Sequence, residues 1–254
     1  MTHFYTETEN GIEPRHFVPM AKDPTRTRAS RVTDAKKAAK NGELWLASVT
    51  TVLNILDKPA LVNWKVDQHL QQAWNIERAP EESLDDYKKR VKSATREELD
   101  KAPKAGTDVH KMLELWMEGV DPESEADLLI CENVGKALAE NTGETCWTCE
   151  KYFLNKNHYY AGCADLISDD WIIDYKTKQE AAKFKPGKMQ YTDHKRQLAA
   201  YRGDNGKRCA NLFICIETGE VDFQEVSEPD LNNAYLDFLD CLSIYRRNHY
   251  DPLG

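Results

Sequence analysis

The stretch Tyr160-Ala-Gly-Cys-Ala-Asp165-Leu-Ile-Ser-Asp-Asp-Trp-Ile-Ile-Asp174-Tyr-Lys176-Thr177 constrains this chain most. Two runs of strand-forming residues, 159–167 and 171–177, flank a short polar turn, which predicts adjacent strands. Side chains alternate faces along a strand, so Asp174 and Lys176 point one way and Tyr175 the other. Asp165 falls near the end of the first strand, where the turn can bring it beside Asp174. Two carboxylates and an ammonium on one spot suit a divalent cation and a water that attacks a phosphodiester. A surface salt bridge on a hairpin, worth about 0–1 kcal/mol, is the plainer alternative. The stretch alone leaves both open.

The surrounding pattern is α/β. Ser48-Val-Thr-Thr opens a helix with a hydroxyl cap, and Pro59 interrupts it. Residues 60–74 continue as helix, with Leu61, Trp64, Leu70 and Trp74 read as packing residues. Residues 81–101 form a polar, charged helix, and a separate helix over 107–117 carries His110, Glu114 and Met117 on one stripe. Strands are predicted over 148–154, 159–167 and 171–177, then a basic loop broken at Pro186-Gly187 and a helix over 190–201. A strand pair over 210–217 and 220–226 and an amphipathic helix over 230–248 complete the order. Helix, three strands, helix, two strands and helix fit a central mixed sheet flanked by helices.

Several of these segments together resemble the PD-(D/E)XK nuclease superfamily, in particular its RecB-like exonuclease branch, which includes phage-type members. The resemblance is carried by Ser48-Val-Thr-Thr-Val-Leu-Asn-Ile-Leu, Gly106-Thr-Asp-Val-His110, Gly162-Cys-Ala-Asp165, Asp174-Tyr-Lys176-Thr177 and Gln197-Leu-Ala-Ala-Tyr201, in that order. It spans about residues 48–201. The first acid follows Ala164 and not proline, a departure this branch commonly allows. The resemblance implies a restriction-endonuclease-like core and a Mg²⁺- or Mn²⁺-dependent deoxyribonuclease that hydrolyses DNA from its ends. A structure-selective or single-strand endonuclease, or a non-catalytic DNA-binding protein on the same fold, is the alternative.

Under this resemblance Asp165, Asp174 and Lys176 are the expected catalytic residues. His110, Asp165, Asp174 and the backbone carbonyl of Tyr175 are the expected metal ligands, with Glu114 and Glu150 as further candidates. Gln197, Tyr201, Lys178, Lys183, Lys185, Lys188, Lys195 and Arg196 are the expected DNA contacts, Gln197 and Tyr201 having bracing of the catalytic strand as the alternative. DNA is the expected partner, alongside a single-strand-binding or recombination protein, and the oligomeric state is left open. The expected organisation is a flexible arm over 1–30, a helical region over 31–104 and a nuclease core over 105–254 that forms one compact unit with the preceding helices.

Charge and cysteine usage bear on that expectation. The chain of 254 residues carries a net charge of −9, unusual for a DNA-binding protein. The average conceals a block from Lys176 to Arg208 with ten basic residues against three acids, beginning at the lysine of the acid-x-Lys pair. Positive charge there would draw a phosphate backbone toward a metal. Seven scattered cysteines suggest buried free thiols in a reducing compartment. Cys146-Trp-Thr-Cys149 stands alone, and an iron–sulfur cluster needs four thiolates, so no cluster is expected. No apolar run approaches the ~20 residues that span a bilayer, and no signal-peptide pattern opens the chain. The cytoplasm, a host's if the chain is of phage origin, is the expected location, with no membrane partner.

Overall fold

The computed structural model describes residues 3–20 and 23–253. Its centre is a five-stranded mixed sheet made of β6 (Thr148–Asn155), β7 (Tyr160–Ile167), β8 (Trp171–Lys178), β9 (Arg208–Cys215) and β10 (Val221–Val226). They lie side by side in the order β10-β9-β8-β7-β6, with β8 and β9 parallel and the other pairs antiparallel. The parallel step requires a crossover, supplied by α6 (Thr192–Arg202).

Alternation along β8 and β9 divides the core in two. Trp171, Ile173, Tyr175, Ala210, Leu212 and Ile214 pack under α4 (Leu84–Met117) and α5 (Glu125–Thr142). Ile172 and Cys209 face the opposite side, under α2 (Val49–Leu53), α6 and α7 (Glu228–Asn248). Ser48 caps α2, its Oγ accepting from Thr51 N–H at 3.1 Å. Ser227 caps α7 in the same way, and the final helix begins at Glu228 where the pattern places it at 230.

Three expectations are corrected. Residues 4–29, read as a loose arm because no period is sustained there, pair as four short strands: β1 (Phe4–Thr8), β2 (Gly11–Pro14), β3 (Phe17–Met20) and β4 (Asp23–Ala29). β1 also pairs with β5 (Leu46–Ala47), and Phe4 is wholly buried in the α7 side of the core. After α1 (Val32–Lys40), the predicted helices over 81–101 and 107–117 form one 34-residue helix, α4, with Pro103 inside it. Proline lacks the N–H that would bond the carbonyl one turn earlier, and Thr107 Oγ1 donates to the Pro103 carbonyl at 3.0 Å. Finally, α3 (Pro59–Asn75) buries none of its residues, and Trp64 and Trp74 are 40% and 89% exposed. An apolar stripe in sequence does not reveal whether anything lies against it.

Among the described residues, no helix is long and apolar enough to cross a membrane. The cysteines form no disulfide; Cys146 is exposed, where a buried thiol was expected, and Cys131, Cys209, Cys215 and Cys241 are buried.

Candidate metal centre

The site forms where β7 and β8 part. These strands pair only at Leu166↔Ile173 and Ile167↔Ile172, whereas β8 and β9 pair along eight positions. Beyond Leu166, the amide of Tyr175 has lost its neighbour strand, and an Asp165 carboxylate oxygen accepts from it at 2.6 Å. That carboxylate takes the place of a ladder carbonyl and keeps the gap open.

Glu150 stands opposite Asp165 on β6: Cys149 pairs with Leu166 and Lys151 with Ala164, and the residue between them is kinked at φ 45°. A left-handed glutamate costs about 1–2 kcal/mol, and the kink breaks the ladder where the two acids meet. The Cys163 thiol donates to Glu150 Oε2 at 3.1 Å. Burial raises the Glu150 carboxyl above its usual range, the Cys163 hydrogen bond opposes this, and the charge of Asp165 adds to the rise.

His110 reaches the same place from α4. Gly106, one turn earlier, allows the approach: a Cβ there would lie 2.9 Å from Thr177 Oγ1 at the end of β8. The His110 ring meets Tyr175 edge-on at 5.5 Å, and its Nδ1 is 3.4 Å from Asp165 Oδ1. Burial pulls the imidazolium down in pKa, but hydrogen bonding and attraction to Asp165, helped by Asp174, carry it above its ordinary value. Ligand atoms of His110, Glu150 and Asp165 all lie within 4.8 Å of one another, the one such grouping of histidine, cysteine or acid among the described residues. One imidazole and two carboxylates form a donor set that fits a divalent cation taking oxygen and nitrogen ligands.

Asp174 is adjacent but outside this grouping. It is 3% exposed, and Oδ1 accepts from Gln197 Nε2 at 3.0 Å while Oδ2 accepts from Asn211 Nδ2 at 3.0 Å and from the Lys176 ammonium. Burial raises its pKa and Lys176 opposes the rise. Lys176 also donates to Gln197 Oε1 at 3.1 Å and lines an open groove of about 670 Å³ with His110, Glu114, Glu150 and Tyr152. Gln197 in turn donates to the buried Tyr201 hydroxyl at 2.7 Å. These two residues are thus placed as braces behind Asp174 and not on the groove where a DNA contact was expected. Glu114 lines the groove but is held by Lys111 at 2.8 Å. Asn211, wholly buried on β9 and in register with Asp174, went unnoticed in the sequence. Only the parallel pairing of β8 with β9 puts it there.

The basic block is largely compensated within the fold. Lys183 pairs with Glu180, Lys195 with Asp230, Arg196 with Asp193 and Asp237, Arg202 with Glu228, and Arg208 with Glu225. Lys207 donates to the carbonyls of Ser168 and Asp169. Lys178, Lys185 and Lys188 make no ion pair among the described residues. The even patch expected from 176–208 is therefore interrupted by acids, two within the block (Glu180 and Asp193) and the others from β10 and α7, far along the chain.

No family model matches the chain, and no curated protein matches it. Among solved structures it is similar to the crystal structure of SSO0001, at 13% identity and a TM-score of 0.35 over 75% of this chain and 89% of that one. It is also similar to a protein described as "Putative exonuclease" from Eubacterium rectale, at 12% identity and a TM-score of 0.39 over 57% of this chain and 68% of that one. Likenesses this slight carry no argument about activity.

Proposed function

We propose that the chain is a divalent-metal-dependent nuclease with a restriction-endonuclease-like core, of the RecB-like branch of the PD-(D/E)XK superfamily, hydrolysing phosphodiester bonds from DNA ends. The convergence of His110, Glu150 and Asp165 within 4.8 Å, beside a groove that His110, Glu150 and Lys176 line, carries this reading. These three residues would hold Mg²⁺ or Mn²⁺, with Asp174 and the Tyr175 carbonyl as the neighbouring oxygens. The ion would lower the pKa of a bound water and offset charge developing on the phosphate.

The chain's own groups do the rest. Asp165 fixes the gap between β7 and β8 by accepting from Tyr175, so its ligand oxygen is set by the backbone. Gln197 and Asn211 hold both oxygens of Asp174, and Asp174 holds Lys176. The ammonium is thereby presented to the groove, where it can stabilise negative charge on a phosphate in the transition state. His110 must give up its proton to bind a metal, and Asp165, whose charge and hydrogen bond favour that proton, opposes its loss, so metal and proton would compete for the imidazole.

The test compares linear with covalently closed circular DNA, single- and double-stranded and end-labelled, with Mg²⁺, Mn²⁺ or EDTA. Metal-dependent loss of the linear forms alone is expected. Rapid nicking of closed circles would replace the exonuclease reading with an endonuclease one. Binding without cleavage under every metal condition would leave a non-catalytic DNA-binding protein.

A further inference from the structure

A second cavity, of about 570 Å³, lies where the start of α3 meets the start of α6, away from the metal-ligating residues. Pro59, Leu61 and the Tyr191 ring give it apolar walls, and Asp57, Lys58, Gln190 and Asp193 give it polar ones. Tyr191 is 58% exposed, and the Lys178 ammonium sits 6.0 Å from its ring centroid. Lys178 is two residues beyond Lys176 on the same face of β8, about 7 Å along the strand, near the spacing of neighbouring phosphates in an extended nucleic-acid strand. Lys178, Lys185 and Lys188, which make no ion pair among the described residues, follow Lys176 in the chain and precede Tyr191. His194, in the cavity wall, has its pKa lowered to about 4, first by burial and then by the nearby charges of Lys176 and Lys178.

Asp57, Lys58 and Gln190 offer polar groups to the edge of a base, and the flat aromatic wall offers a stacking surface. We propose that this cavity receives an unstacked base of a single-stranded nucleic-acid end whose phosphates follow Lys178 toward Lys176. The assignment rests on the nuclease reading for its direction, but its test does not. A base paired within a duplex cannot enter, so the cavity selects single strands or frayed ends.

The experiment measures anisotropy of a fluorescein-labelled mixed-sequence single strand and of the matching blunt duplex, in EDTA, over a protein titration. Tyr191→Ala should weaken single-strand binding about tenfold and leave duplex binding unchanged, whereas Tyr191→Phe keeps the ring and should bind like the parent. Because Tyr191 is exposed, the fold should survive, checked by circular dichroism. Single-strand binding by Tyr191→Ala within about twofold of the parent, or an equal loss for both probes, would overturn the proposal. Cleavage by the parent with Mn²⁺ is scored separately. Cleavage with a silent Tyr191 removes the cavity assignment alone, and Tyr191-dependent binding without cleavage removes the nuclease reading alone.

Discussion

Lys176→Met separates a buried charge pair from a surface one. An exposed pair would cost about 0–1 kcal/mol on truncation. Asp174, however, is 3% exposed, so the substitution strands a carboxylate in the core. Breaking such a pair costs about 3–5 kcal/mol when the surviving charge has no other partner. Here Gln197 and Asn211 still donate to both oxygens, and the lysine side chain is itself 23% exposed, which reduces the loss. A cost of about 2 kcal/mol follows, or a melting temperature lower by about 4–8 °C for a chain of this size. Its pH dependence is the sharper readout. Burial raises the folded-state pKa of Asp174 above its unfolded value, and Lys176 opposes that. With the lysine gone the folded pKa rises further, so the native state binds the proton more tightly than the unfolded chain across a wider interval. Stability of the variant should then fall as pH rises from the unfolded aspartate value, about 3.9, to the raised folded value, and the gap from the parent should open over that interval. Thermal melts from acid to neutral pH measure it, and adding Asp174→Asn should close most of the gap. Parallel melting curves at every pH, within about 0.5 kcal/mol, would show that Asp174 and Lys176 are not energetically coupled. Single-turnover cleavage by the same variant should be slower by roughly 10²–10³-fold if Lys176 meets the transition state.

His110→Ala should weaken Mn²⁺ binding by about 10–100-fold in calorimetric titration, and the parent's affinity should increase as pH rises through the elevated His110 pKa, because neutral imidazole is the ligand. Affinity independent of pH from 5 to 8 would exclude His110 from the metal. Lys185→Gln with Lys188→Gln should reduce the salt slope of single-strand binding by about 0.7 per lysine, while Lys183→Gln with Lys195→Gln, both already paired to acids, should leave it unchanged. Gly162→Ala places a Cβ 2.7 Å from the Phe153 ring and 3.1 Å from Tyr201, and should lower stability by about 1–3 kcal/mol in denaturant titration.

Local chemistry made much of this protein legible in its sequence. The runs around Asp165 and Asp174 are strands because their β-branched and aromatic residues fit a pleated surface and a three-residue polar turn separates them. The opposite orientations of Tyr175 and Asp174 follow from the strand period alone, and the Ser48 cap follows from a hydroxyl before a helix-forming run. Tertiary structure decided which acids meet. The sequence put Asp165 and Asp174 together ahead of Glu150 as metal carboxylates, but the parting of β7 from β8 and the kink at Glu150 group Glu150 with Asp165 and His110 and leave Asp174 held by Gln197 and Asn211. Compensation of the basic block by acids from β10 and α7 was equally hidden, as was the exposure of α3. Sequence periodicity reports which side of a strand or helix a residue occupies. It carries no information about what a distant segment lays against that side, and pairing between strands and helices far apart in the chain is what builds a site.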